Sequence, residues 1–241
     1  MKNPFVHTHP FDPFLFEEAT RWIVGTLPPP RFTTGELKPG DVNFCYGSRD
    51  GQLWNILDRM YELELLYEDS EEAVQQRKDF LRREKIGIFD IVERAERLKV
   101  DATDLGMNGV CLRDLLGGLY QYPKVDTILF TGGNSKNGPE YFFRRLARDH
   151  GIKLIPVHTD VPRIHEFMLP GDTANRRIRT VSLTAPSGSA NRAVGSMQDY
   201  KHLKMRQPGF TTLDFRILQY SPFFKDPLYI WEFDKKRTRD I

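Results

Sequence analysis

Four short segments of strand character punctuate the chain, at 21–24, 125–130, 153–158 and 179–184. Each is closed by turn-forming residues rather than continued by polar periodicity. The first run, Arg21-Trp22-Ile23-Val24, stops at Gly25 and passes into Thr26-Leu27-Pro28-Pro29-Pro30. A glycine followed by three prolines cannot continue a strand, so the backbone must leave the sheet there. Helical periods lie between the strands. Leu53, Ile56, Leu57, Met60 and Leu63 mark one apolar face. A second helix starts at Ser70-Glu71-Glu72 and ends at Arg82-Arg83 and Lys85, with acid first and base last as the helix dipole favours. Pro139 opens a third that runs to about 150, and 192–205 and 212–220 read as two more, the last behind a Thr211-x-x-Asp214 capping box. The apolar segment 86–92 fits a strand or a helix equally. Alternating strands and helices predict an α/β protein with a mainly parallel, four-stranded sheet flanked by helices. Residues 159–178, carrying Pro162, Pro170 and Gly171, read as a long loop, and 1–20 as an extended arm that packs Phe5, Phe11 and Phe14 onto the body.

Composition narrows the class. The chain has 241 residues, 39% of them apolar and 12% aromatic, which suits a single folded domain over 1–241 with a short tail at 225–241. No apolar run reaches the ~18 residues of a membrane span, and no leader pattern opens the chain. A soluble, cytoplasmic protein without a membrane partner is the expectation. Cys45 and Cys111 are isolated thiols, too few for a four-cysteine zinc or iron–sulfur site. A net charge of +2, from 35 basic against 33 acidic residues, permits nucleic-acid binding without arguing for it. Placement says more, with acidic residues crowded at 62–72 and basic clusters at 176–179 and 235–239.

The candidate chemistry sits where strands end. In open α/β sheets, ligands bind in the crevice outside the carboxyl ends of the strands. Strand 179–184 runs into Ala185-Pro186-Ser187-Gly188-Ser189-Ala190-Asn191-Arg192, a loop of hydroxyls and backbone N–H groups suited to phosphate oxygens. Asp50 stands just ahead of the helix that begins near Leu53, where it either caps that helix or faces a ligand. Asp90, flanked by apolar residues, is expected to cap or anchor a neighbouring loop. His158 ends a strand and is a second candidate for the catalytic group, weighed against a structural role. His7 and His9, two apart, lack a third metal ligand nearby, so no metal site is expected.

Taken in order, Val24-Gly25-Thr26-Leu27-Pro28-Pro29, Tyr46-Gly47-Ser48-Arg49-Asp50-Gly51-Gln52-Leu53-Trp54 and Ala185 through Arg192 resemble the motifs of the uracil-DNA glycosylase superfamily. The similarity is greatest to its hypoxanthine-DNA glycosylase and mismatch-specific branches. Ile86-Gly87-Ile88-Phe89-Asp90-Ile91-Val92 also resembles a segment of that group, and the likeness extends over most of 20–205. It implies a three-layer α/β/α domain that flips a deaminated base (uracil, hypoxanthine or xanthine) out of DNA and hydrolyses its glycosidic bond. Such an enzyme is monofunctional, needs no cofactor or metal, and is expected to act as a monomer on DNA. By the resemblance, Gly25, Thr26, Leu27 and Pro28 line the base pocket, and Tyr46, or alternatively Phe44, stacks on the base. Ser187, Gly188, Ser189, Asn191 and Arg192 grip DNA, with Arg192 or Asn191 filling the vacated gap. Two positions depart from the pattern. Leu27 stands where many members carry Asp or Asn to orient water, and Gly51 stands where the hypoxanthine branch carries Asn. Asp50, beside Gly51, is the candidate catalytic carboxylate. A non-catalytic nucleic-acid-binding protein on the same fold, or a phosphate-ester enzyme using the 185–192 loop, are the competing readings.

Overall fold

The computed structural model describes residues 4–101, 103–171, 176–226 and 229. Its larger sheet comprises β2 (Arg21–Val24), β3 (Ile86–Ile88), β6 (Thr127–Phe130), β7 (Ile155–His158), β8 (Arg163–Met168) and β9 (Arg177–Ser182). Their order across the sheet is β3-β2-β6-β9-β8-β7. The first four are parallel, whereas β8 runs antiparallel to both β9 and β7. All four residues of β2 and of β6 are buried, as parallel strands covered on both faces require.

Alternation along these strands divides the interior into two cores. Ile23, Leu129 and Val181 face one side with α2 (Leu53–Tyr61), α3 (Glu71–Arg83) and α8 (Thr212–Lys225). Trp22, Val24, Ile128 and Phe130 face the other with α4 (Leu115–Gln121) and α5 (Pro139–Asp149). The architecture is therefore three-layer α/β/α, with a mostly parallel sheet between two helical layers. Local signals fix the helix ends. Ser70 accepts the Ala73 N–H at the start of α3, and Thr211 with Asp214 forms a reciprocal capping box at the start of α8.

Four points correct the expectations. The sheet has six strands rather than four. Its extra internal strand, β8, lies in the stretch read as a loop. There His165 is buried against Arg144 and Glu166 pairs with Arg179, so polar residues at inward positions break the apolar alternation. The run at 153–158 becomes the antiparallel edge, and β3, from the undecided 86–92 segment, takes a place in the parallel set. Residues 5–8 of the arm form β1 (Phe5–Thr8), which joins β4 (Val92–Arg97) and β5 (Asn108–Leu112) in a second, antiparallel sheet of order β1-β4-β5. The helix read over 192–205 is two, α6 (Asn191–Ser196) and α7 (Gln198–Arg206), separated at Met197 by an extended backbone (ψ 135°). The basic cluster at 235–239 lies outside the described residues. Among them, no helix is long and apolar enough to cross a membrane.

Candidate functional site

β2, β6 and β9 are parallel neighbours, so their carboxyl ends open on one edge of the sheet. A cleft of about 900 Å³ lies there, walled by 25–29 after β2, by Tyr46 and 48–53 leading into α2, and by 185–190 after β9. The three segments singled out in the sequence thus meet around one space. Gly51 forms an antiparallel bridge with Ser187, and the Gln52 N–H donates to the Pro186 carbonyl at 2.8 Å, which joins two of the walls.

Asp90 organises one wall. It is 5% exposed. Its Oδ1 accepts the Gly25 N–H at 2.8 Å and the Tyr46 hydroxyl at 2.7 Å, and its Oδ2 lies 3.0 Å from His9 Nε2. The Phe11 N–H donates to His9 Nδ1, so Nε2 carries the ring proton and donates to Asp90. The anchoring role expected of Asp90 is what its contacts describe, and the loop it anchors is the one after β2. Gly25 is required by closeness: a Cβ there would sit 2.3 Å from the Tyr46 hydroxyl and 2.9 Å from Asp90. Burial, and the adjacent Asp90, push the Tyr46 phenol well above its usual pKa, so it stays a donor.

Arg216 organises the opposite wall. It is fully buried on α8 and faces only neutral oxygens. Its guanidinium donates to the carbonyls of Ala185 and Ser187, to Gln52 Oε1 and to Asn191 Oδ1, at 2.9–3.1 Å. Burial lowers its pKa, a trend that Tyr220 opposes.

Asp50 and Asp104 also line the cleft. Asp50 does not cap α2, whose cap position is Gln52; it sits on the rim with its side chain 66% exposed and paired to Arg31 Nη2 at 3.1 Å. Arg31 also holds buried Asp41 through two bonds of 2.6 and 2.8 Å, which fixes the base of the 38–50 loop. Asp104, which the sequence reading passed over, accepts the Thr26 hydroxyl at 2.7 Å on Oδ1. Burial raises its pKa against the opposing effects of Thr26 and Arg97. No local pattern marks Asp104, because a hairpin of the smaller sheet carries it to the cleft. Thr131 and Lys136 are further lining residues without a sequence signal, and His9, weighed in the sequence only as a metal ligand, lines the cleft as well.

Gly25, Thr26, Leu27, Pro28, Tyr46, Asp50, Ser187, Gly188 and Ser189 all border the cleft. Phe44 does not. Its ring is 6% exposed and packs between Phe14 and Trp54 in the core, which corrects its reading as a base stacker. Asn191 lies behind the loop, its Oδ1 shared by Arg216 and Thr212, whereas Arg192 is exposed beyond the lining residues. His158 ends the far-edge strand β7, its Nδ1 2.8 Å from the Pro162 carbonyl, away from the cleft.

No protein-family model matches the chain, and no curated protein does. A solved structure does match: the solution NMR structure of a candidate uracil DNA glycosylase from Methanosarcina acetivorans. It is 16% identical, with a TM-score of 0.50 over 88% of this chain and 99% of that one. At that identity, what this chain shares with the archaeal protein is the fold.

Proposed function

We propose that the protein is a DNA glycosylase that hydrolyses the N-glycosidic bond of a deaminated base (uracil, hypoxanthine or xanthine) flipped from DNA. The observation that carries this reading is the meeting of the 25–29, 46–53 and 185–190 segments around one cleft at the carboxyl edge of the sheet. The shared fold with a candidate uracil DNA glycosylase supports it. Flipping costs a few kcal/mol of unstacking, least at a mispaired base, which favours deamination products. The 25–29 wall would receive the base and Tyr46 would lie against it. The 187–189 hydroxyls would meet the flanking phosphates.

Cleavage passes through an oxocarbenium-like sugar, so a carboxylate near the anomeric carbon contributes by charge as well as by holding water. Asp90 already accepts three donors. Asp50 and Asp104 each have a single hydrogen-bond partner among the described side chains and line the cleft, so each retains an oxygen for water. Asp50 is the proposed water-positioning group and Asp104 its competitor. Oligonucleotides carrying each base, incubated and then cleaved with alkali, test this. Asp50→Ala is expected to lower excision at least 100-fold (about 2.7 kcal/mol of transition-state stabilisation) with DNA binding retained. Loss confined to Asp104→Asn would transfer the role. No scission by the wild type on any of the three bases, with salt-sensitive DNA binding intact, would favour a non-catalytic binding protein.

A further inference from the structure

Arg77, on α3, is a fully buried cation whose guanidinium is only half satisfied. Its Nη1 donates to the carbonyls of Leu66 and Ala73 at 2.9 and 2.7 Å. The ring centroids of Trp54 and Tyr67 each lie 5.2 Å from its Cζ. Nε and Nη2 are buried as well and have no hydrogen-bond partner among the described residues. Those two N–H groups leave the planar fork in the same direction, the arrangement that clasps one anion along a single edge. Asp58, whose charge Arg77 feels, is taken up by the Tyr67 hydroxyl at 2.9 Å and the Leu65 N–H at 3.3 Å. Burial lowers the Arg77 pKa to about 10, against the opposing effects of Tyr67 and Asp58, so the group stays charged at neutral pH. A buried charge without a counter-charge is costly, and an anion at its free edge offsets that cost.

Arg77, Trp54 and Tyr67 line a cavity of about 20 Å³ together with Ser48, Arg49 and Asn55. Leu66 and Ala73, which occupy the Nη1 edge, are not among its walls, so the cavity borders the edge that carries the unpaired donors. Its other polar groups suit an anion too. Ser48 Oγ accepts the Arg31 Nη2 donor at 2.9 Å and the Asp50 N–H at 3.2 Å, which leaves its own proton to donate. Arg49 adds a second positive charge and Asn55 an amide, and no carboxylate lines the space. The volume admits about one water-sized body, too little for a carboxylate or a phosphate group. We propose that this cavity is a halide site, in which Arg77 clasps a single chloride ion behind the aromatic turn. Tyr46, Ser48 and Gly51 border both this cavity and the large cleft, so the bound ion braces their turn from the side opposite the cleft. Tyr46 sits in that turn with a left-handed backbone (φ 59°), a costly conformation for an aromatic residue that persists only when its surroundings hold it.

Thermal unfolding in sodium chloride, bromide and gluconate at one ionic strength tests the site, together with anomalous scattering from crystals grown in bromide. Gluconate is too large for the cavity and serves as the reference salt. Both halides should raise the unfolding midpoint by roughly 3 °C over gluconate, saturating with concentration. A bromide peak should lie within hydrogen-bonding reach of Arg77 Nε and Nη2. Asn55→Leu is the variant of choice, because Arg77 also carries two structural carbonyl bonds, whereas the leucine only exchanges the lining amide for methyl groups. Its midpoint in gluconate should stay within about 2 °C of the wild type, and the halide increment should vanish. Equal wild-type midpoints in the three salts, with no bromide peak at Arg77, would show that the cavity takes water only and overturn the site. A halide increment of the same size in Asn55→Leu would assign the effect to the protein surface and overturn it as well. Neither readout involves DNA, so the result stands apart from the glycosylase reading.

Discussion

The two walls of the cleft solve the same problem with opposite charges. On one, the buried anion Asp90 gathers three donors: a backbone N–H, a phenol and an imidazole. On the other, the buried cation Arg216 gathers five oxygens, from Gln52, from Ala185, Ser187 and Asn191, and from Thr212 of its own helix. Among the described residues, neither forms an ion pair with an Arg, Lys, Asp or Glu side chain in its wall. A carboxylate offers two small oxygens, so it can tie down one loop and the side chains beside it. A guanidinium offers five donors in a rigid fork and can pin two loops and a helix at once. The difference teaches where each wall is vulnerable. The cation-centred wall gathers its side-chain bonds on one residue, beside the Gly51–Ser187 bridge and the Gln52 N–H bond to the Pro186 carbonyl, whereas the anion-centred wall is backed by Ile91, whose N–H donates to the Gly25 carbonyl at 2.9 Å.

The largest break in this comparison should come from Arg216→Met, which leaves buried carbonyl and amide oxygens unpaired. A loss of about 3–5 kcal/mol is expected, seen as a thermal midpoint lower by roughly 6–20 °C. A drop below about 1 kcal/mol would show that the 185–190 loop is held by other contacts.

Acid separates the walls next. His7 Nδ1 accepts the Arg97 Nε–H at 2.9 Å, and burial, then the Arg97 charge, lowers its pKa from 6.5 to about 4. Between those values the unfolded chain binds the proton and the folded one does not, so stability falls as pH is lowered through the window. Urea titrations at pH 7 and 4.5 should differ by about 2–3 kcal/mol from this group, and His7→Gln should flatten the difference. Asp41, held near 2 by Arg31 and two backbone N–H groups despite its burial, loses its contribution only below about pH 4. The oxygens around Arg216 include no group that titrates between pH 4 and 7. The acid response therefore belongs to the side of the molecule that holds β1 and Asp90, and an undiminished response in His7→Gln would contradict that assignment.

The smallest effect is Asp90→Asn, which keeps the shape but turns one acceptor into a donor facing donors. About 2 kcal/mol of destabilisation is expected, together with altered Tyr46 environment in near-ultraviolet circular dichroism. An unchanged signal would mean that the Tyr46 hydroxyl is placed by Thr131 Oγ1, 3.2 Å away, rather than by Asp90.

Much of the architecture was readable from single segments. β2 and β6 announced themselves because strands buried on both faces are short apolar runs, and β9 because Val181 and Leu183 alternate with small polar residues. The caps of α3 and α8 were visible because capping is a bond between residues three apart. β8 was not, since its inward polar residues are paid for by partners on α5 and β9. The cleft divides along the same line. The proline turn, the aromatic turn and the serine loop each carry a local signature, whereas Phe44 carried a misleading one: an aromatic beside a turn gives no sign of which way it points.

What the sequence determined by itself was therefore whatever depends on neighbours along the chain: strand and helix periods, caps, and the three strand-exit loops. Only the tertiary structure decided that those loops share one cleft, that Asp90 and Arg216 hold its walls, and that Asp104 reaches it. Those contacts join residues dozens of positions apart: Gly25 to Asp90, Gln52 to Arg216, Thr26 to Asp104. A hydrogen bond across such a separation leaves no periodicity in the sequence, because its partners are brought together by the burial of apolar faces elsewhere in the chain.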